Sequence, residues 1–555
     1  GNTLLRANSV ERIPQSTNPN VSVTERASGK TGVVFVRENA NAEQRFKMYF
    51  QDPFSPTQRV ISAPREGELV IGPRAMKMLP VGIPITGSRL RYTTAEVLAH
   101  GLLQEWHYLI IYDEPGRLVE IGLATAEEPK IQGDYVYNYW DQEFESVVVG
   151  IKVEKTEKIL LINYHLLLIV MPRERALRSW TAEFPTKVIP GSEEPKPMQV
   201  PFLTDSYQLA ASGVEGKRLW AELEFQPGDH PITLLLPPTP QKCFVDGLPA
   251  KFEYERPRRI TRLNVATPAL PYQAFTIQQL QTRTEKFDTS SGEWLTGPLR
   301  ALEDLGEVPY GYVKYRAEFP HRGETRMFLS AFTDDVKQVF INGKLVTEAS
   351  NIKRLVEIPL AGYARSGANT IEIAYERFGS YNIGAELGDL SGIESVRVGT
   401  DAKTASAIES WQIQRFPVAM RGREIDPQIS QKEWQPMALE SLSASKELAP
   451  AFTWCRAEFS LPSVGGGWSV PWKLIFEAER DALLYLNGKF FGRYATIGPQ
   501  KEFYIPEPYL AGGAKPTNVL TILLAYADQP NFIRALRVAP YEEFAARRTR
   551  IEFEW

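Results

Sequence analysis

The sequence predicts an all-β protein of several antiparallel β-sandwiches, the last two of them jelly rolls, and three observations carry that expectation. Its apolar runs are short, rich in β-branched and aromatic residues, and broken by Gly, Pro and Asn. A hairpin built on Asn-Gly recurs. Alternating units of strand and long amphipathic helix, which a (β/α)8 barrel requires, are absent.

Elements are read in chain order. Gly32-Val33-Val34-Phe35-Val36, Glu68-Leu69-Val70-Ile71 and Tyr108-Leu109-Ile110-Ile111-Tyr112 read as strands of a large β-sandwich domain over 1–188. Asp113-Glu114-Pro115-Gly116 is a turn, because Pro fixes φ and Gly accepts the positive φ that follows. In Tyr135-Val136-Tyr137-Asn138-Tyr139-Trp140, three tyrosines share one strand face and Trp140 takes the other. Such a row can stack on sugar rings, although cross-strand aromatic packing is the commoner cause. The segment 189–197 combines three prolines with charge and no apolar periodicity, which marks a boundary.

A small β domain is expected over 189–273, with Leu219-Trp220-Ala221-Glu222-Leu223-Glu224-Phe225 and Ile232-Thr233-Leu234-Leu235-Leu236 as strands. Two further sandwiches are expected over 274–402 and 403–555. Their internal words match in order. Tyr315-Arg316-Ala317-Glu318-Phe319 corresponds to Cys455-Arg456-Ala457-Glu458-Phe459, and Val339-Phe340-Ile341-Asn342-Gly343-Lys344 to Leu484-Tyr485-Leu486-Asn487-Gly488-Lys489. Glu357-Ile358-Pro359-Leu360 corresponds to Tyr504-Ile505-Pro506-Glu507, and Asn369-Thr370-Ile371-Glu372-Ile373 to Asn518-Val519-Leu520-Thr521-Ile522. Four matches in one order argue for two copies of one β-sandwich, and Cys243-Phe244-Val245-Asp246-Gly247 is a weaker third instance of the hairpin.

The totals are those of an ordinary globular chain: 555 residues, 43% hydrophobic and 23% charged. A net charge of -4 with interspersed signs gives no footprint for nucleic acid or an anionic membrane. The most apolar stretch, 159–171, is shorter than the ~20 residues of a membrane helix and is interrupted by Asn163 and His165, so no membrane span is expected. The start, Gly1-Asn2-Thr3, lacks a signal pattern, so a targeting peptide is expected to be absent or already removed. Cys243 and Cys455 sit in different strand-like runs and read as small buried hydrophobes. The short basic run Arg547-Arg548-Thr549-Arg550 follows Glu542-Glu543 and reads as solvated surface.

Catalytic constellations are not found. His100, His107, His165, His230 and His321 show no metal-ligand spacing, and there is neither a GxSxG elbow nor a phosphate-binding glycine loop, so no metal and no cofactor is expected. Glycoside hydrolysis needs two carboxyl groups in different protonation states, and spacing selects no pair here. The candidate binding residues are aromatic: Tyr139, Trp140, Trp294, Trp411 and Trp434, as stacking surfaces for sugar.

With these residues in view, the chain resembles the part of glycoside hydrolase family 35 β-galactosidases that follows the catalytic barrel. The carrying words are Gly32-Val33-Val34-Phe35-Val36-Arg37, Leu90-Arg91-Tyr92-Thr93-Thr94-Ala95-Glu96-Val97, Tyr310-Gly311-Tyr312, and Leu486-Asn487-Gly488 through Tyr494-Ala495-Thr496-Ile497-Gly498-Pro499-Gln500. The resemblance implies a large β domain, a small β domain and two terminal jelly rolls of the galactose-binding-domain-like kind. They would be arranged around a barrel that removes terminal β-galactose with retention. In that family both catalytic glutamates lie in the barrel, and no Asn-Glu dipeptide of the acid/base type occurs here, so no catalytic residue is carried over. The strand at 135–140 has no counterpart in the family pattern, and the segment at 421–424 is shorter than the family's insertion.

The expected function is the non-catalytic, barrel-supporting portion of a β-galactosidase, as a fragment or as one polypeptide of a split enzyme. Its partners would be a catalytic barrel, in cis or as a separate chain, and a galactose-containing saccharide; a secreted or periplasmic location fits that role. A free-standing carbohydrate-binding protein and a structural surface protein are the alternatives from other classes.

Overall fold

The computed structural model describes residues 8–9, 15–52, 59–85, 88–103, 106–184, 197–235, 239–286, 294–305, 311–333, 336–346, 355–377, 388, 390–417, 434–439, 451–496, 498–512, 517–527 and 533–555. The Pro-rich segment 189–196 and the segment 421–424 lie outside the described residues. Antiparallel sheets account for nearly all the regular structure, and among the described residues the one α-helix is the single turn Arg173–Ala176. The chain divides into two compact units, Gly1–Pro271 with Val464–Val470 and Glu542–Trp555, and Tyr272–Ser463 with Pro471–Tyr541.

The first unit begins with a sandwich in which Val21–Ser28, Thr31–Glu38 and Met76–Val81 face Met48–Gln51 and Val60–Ala63. Alternation places Val21, Val23, Val34, Val36, Phe50 and Ile61 in one core. Glu25 falls on the same inward phase as Val21 and Val23 and is only 5% exposed. Its Oε2 has no hydrogen-bond partner among the described residues, and burial lifts its carboxyl from the ordinary 4.5 to about 7. The neutral acid is thus the form that suits the fold. Its contribution is complete below pH 4.5 and is lost as pH rises through about 7, to the extent of roughly 2–3 kcal/mol. Glu25→Gln is expected to raise the melting temperature at pH 8 and leave it nearly unchanged at pH 4.5; equal effects at both pH values would contradict this account.

A second sandwich follows. One sheet runs in the order Ile83–Ile85, Ser88–Thr93, Leu118–Ala124, Ser146–Lys152, Tyr137–Asp141, and the other Glu96–Leu103, Trp106–Asp113, Leu166–Pro172, Lys158–Ile162, Ile131–Gln132. Leu109, Ile111, Ile121, Val149 and Leu168 fill the space between them. The opposite face of the second sheet, with Tyr108, Ile110, Leu161 and Ile169, packs into the core of the small β domain. That sheet is covered on both faces, which is why Lys158–Ile162 after its first residue, and Leu166–Pro172 throughout, are apolar without alternation. No helix among the described residues is long and apolar enough to cross a membrane. Among the described residues one pairing departs from the expected antiparallel rule: Trp106–Asp113 and Leu166–Pro172 run parallel.

The small domain contradicts the expected boundaries. Trp180–Phe184 already belongs to its first sheet, pairing with Met198–Leu203. Its second sheet is completed from the far end of the sequence: Ala546–Glu554 lies between Arg218–Phe225 and Lys242–Val245. The basic run is therefore central strand, not loose surface. Arg547, Arg548 and Arg550 pair with Asp246 at 2.8 Å, Glu224 at 3.0 Å and Glu215 at 2.9 Å, while Ile551 and Phe553 enter the core.

In the second unit the two copies appear with the same sheet order. One copy has Trp294–Gly297, Trp411–Pro417, Gly311–His321, Gly367–Arg377, Val336–Ile341, Lys344–Leu345. The other has Gln435–Ala438, Gln279–Lys286, Ala451–Phe459, Asn518–Ala527, Ala482–Leu486, Lys489–Tyr494. All four matched words fall on equivalent strands. The expected cut at 402 is overturned, because Gln279–Lys286 lies in the sheet of the last sandwich and Trp411–Pro417 in that of the other. Equivalent strands come first in one copy and last in the other, so the copies are circularly permuted and one is inserted within its twin.

The Asn-Gly hairpins do more than turn. Asn342 and Asn487 have φ of 51° and 49°, as the turn requires. The Asn342 amide also donates to Tyr363 O at 3.0 Å and Asn369 Oδ1 at 2.7 Å, while its Oδ1 accepts from Thr370 N at 3.1 Å. Asn487 repeats this with Tyr509 O, Asn518 Oδ1 and Val519 N. In the small domain Asp246, φ 51°, accepts from Arg550 N at 2.9 Å. The side chain therefore fastens each hairpin to the next strand. Cys243 and Cys455 are free, buried thiols, each pushed up to about 12 by burial.

Candidate functional site

The polar side chains of the first unit converge on Glu120. It sits in Leu118–Ala124 on the face opposite Ile121, and is 1% exposed. Four donors reach its carboxylate. Arg65 N and the Tyr92 hydroxyl both donate to Oε1 at 2.6 Å, while Glu66 N at 3.1 Å and the Tyr137 hydroxyl at 2.7 Å donate to Oε2. A register shift between Leu90 and Tyr92 turns Tyr92 onto this face while Leu90 stays in the inner core.

Two glycines make room for the tyrosine rings. Gly122 lies across from Tyr92 and Gly150 across from Tyr137. A Cβ at either would fall 2.3 Å from Tyr92 Cε1 or 2.2 Å from Tyr137 Cζ, so each ring lies flat over bare backbone. Burial, followed by the Glu120 charge, raises the Tyr92 and Tyr137 hydroxyls well above the ordinary phenol value. They remain protonated donors. With both oxygens saturated, Glu120 is a positioning group and is not available as a general acid or base.

Tyr139 is the accessible member of the cluster, half-buried, its ring centroid 6.4 Å from that of Tyr137 at an interplanar angle of 27°. Burial and then Glu120 and Glu66 push its hydroxyl up to about 12. Beside it Arg65 pairs with Asp141 at 2.7 Å and lies over the Phe144 ring at 4.9 Å. Burial opposes the Arg65 charge, but Asp141 more than offsets it and the guanidinium is raised. An aromatic face flanked by a carboxylate and a guanidinium can hydrogen-bond hydroxyls beside an apolar contact.

The other expected residues are dispersed. Trp140 faces the opposite way from Tyr139 and packs against the inner core. Tyr135 is exposed and precedes the strand, which starts at Tyr137. Trp294 is half-buried opposite Gln414, and Trp434 is half-buried just ahead of Gln435–Ala438. Trp411 is a correction. It is fully buried in the core of its sandwich, donating to Ile408 O at 2.8 Å and meeting Tyr315 edge-on at 6.5 Å, so it has no face to offer a ligand. Sequence reasoning missed Glu120, Arg65 and Asp141. The usable signals were Gly122 and Gly150 within otherwise apolar strands and an acid between Val119 and Ile121.

A multi-sandwich all-β chain with a tyrosine-bound internal carboxylate is the class the fold and cluster define. Residues 6–178 match the family model for β-galactosidase, domain 2, and 425–529 match that for the β-galactosidase second all-beta domain. β-Galactosidase A of Aspergillus oryzae is 24% identical over 80% of this chain and 49% of its own length. That of Aspergillus niger is 21% identical over 92% of this chain and 55% of its own. The human β-galactosidase-1-like protein 2 is 22% identical over 37% of this chain and 28% of its own. The chain spans about half the length of the Aspergillus relatives. The chain thus carries two β domains of the β-galactosidases, at 6–178 and 425–529, which is consistent with the non-catalytic part of such a protein.

Proposed function

We propose that this chain is the barrel-supporting β portion of a β-galactosidase acting on terminal β-galactosides, as a fragment or as one polypeptide of a split enzyme. The carrying observation is that two β-galactosidase β domains are matched in this one chain, at 6–178 and 425–529. Its sandwiches buttress a catalytic barrel, in cis or on a separate chain, and wall the approach to the barrel's active site. The purified chain is expected not to hydrolyse a chromogenic β-galactoside. Robust turnover abolished by substituting one of its own glutamates would overturn the proposal.

A free-standing carbohydrate-binding role is the second reading, favoured by Tyr139 beside the Arg65–Asp141 pair. Trp294 and Trp434 are half-buried, whereas Trp411 is fully buried. The same preparation titrated with galactose oligosaccharides tests it. A tryptophan emission that stays flat for wild type removes this reading without touching the first.

A further inference from the structure

A groove of about 880 Å³ runs over the outer face of the small domain's first sheet, a volume within the range of small-ligand sites. Register builds its base. Thr233, Arg262 and Glu253 lie directly across three neighbouring strands, with Asn264 two residues along on the same face. The wall comes from the large domain. Thr233 donates to Glu157 Oε1 at 2.6 Å, Arg175 Nε lies 3.3 Å from Glu157 Oε2, and Arg175 Nη2 donates to Leu203 O and Pro231 O. The base and wall are thus held rigidly, while Lys251, Glu253 and Asn264 are exposed along the open side.

The charges cancel. Arg175 is held by Glu157 and Arg262 by Glu255 at 2.9 Å, leaving Lys251 and Glu253 as one cation and one anion. An anionic ligand would meet Glu157 and Glu253, a cationic one Arg175, Arg262 and Lys251, and an apolar one would strip water from all of them. A neutral ligand dense in hydroxyls avoids each cost. Carboxylates accept from adjacent hydroxyls, a planar guanidinium donates to them in a fork, and the Asn264 amide does both.

We propose that this groove is a saccharide-binding site for a neutral oligosaccharide, distinct from the Tyr139 surface. It stands on the groove's own chemistry and does not depend on the role proposed for the whole chain. Calorimetric titration of the full chain with β-1,4-galactotetraose is expected to show saturable binding. Asn264→Ala and Glu253→Ala are each expected to weaken it about tenfold at unchanged melting temperature, and Tyr139→Ala to leave it intact. The absence of saturation at millimolar sugar would overturn the proposal. So would indifference to both groove variants, or tighter binding of tetragalacturonate or of a lysine-rich peptide than of the neutral sugar. Failure of the wild-type chain to bind the sugar, with β-galactoside hydrolysis still absent, rejects the site while leaving the first proposal standing.

Discussion

Deleting 546–555 is expected to unfold the small β domain outright. Ala546–Glu554 is paired along its length with Arg218–Phe225 on one side and with Lys242–Val245 on the other, so its loss opens a sheet at the centre. Ile551 and Phe553 leave the core with it, each worth about 2–5 kcal/mol, and the Arg548–Glu224 and Arg550–Glu215 pairs go too. That total rivals the ~5–15 kcal/mol by which a whole domain is stable. Hydrogen exchange should show protection lost throughout Arg218–Phe225 and Gly228–Leu235, while Asn518–Ala527 in the second unit keeps its protection. The point variant Phe553→Ala should lower the first thermal transition without abolishing it. Retained protection of Arg218–Phe225 in the deletion would show that the strand is dispensable.

Glu120→Leu is expected to destabilise the first unit by at least about 4 kcal/mol, because two amides and two phenols lose their acceptor at ~1–3 kcal/mol each. Glu120→Gln keeps one accepting oxygen and should lose roughly half as much. The chain has several domains, so the readout is the first transition in calorimetry rather than one global free energy. Tyr137 should also become more accessible, and its phenol should titrate at lower pH once the neighbouring negative charge is gone. Unchanged melting and an unchanged tyrosine titration in Glu120→Leu would remove Glu120 from its positioning role.

Local patterning carried the strands, the hairpins and the copy relation, because alternation and Asn-Gly chemistry act within a few residues. The matched words at Phe319 and Phe459, and at Asn342 and Asn487, fall on equivalent strands. Domain boundaries were not legible, since strand pairing over hundreds of residues leaves no local mark: nothing near Asp246 announces that its neighbour is Arg550, 304 residues on. The Tyr137 and Tyr139 face was legible from period two, whereas Arg65 reaches Asp141 through a loop whose path no periodicity records. Trp411 misled because a tryptophan at a strand start looks the same in sequence whether its ring faces solvent or a core.

The distant closing strand also sets a clock on synthesis. When Arg218–Phe225 and the Asp246 hairpin leave the ribosome, the strand that belongs between them has yet to be made, and the flanking edges carry bare amides and carbonyls until it arrives. At ~5–20 residues per second the 304 residues from Asp246 to Arg550 take about 15–60 s, longer than strand pairing itself. The whole second unit emerges within that interval. A cell producing this chain therefore holds an open sheet throughout that interval, with its edges available for wrong pairing until the closing strand is made.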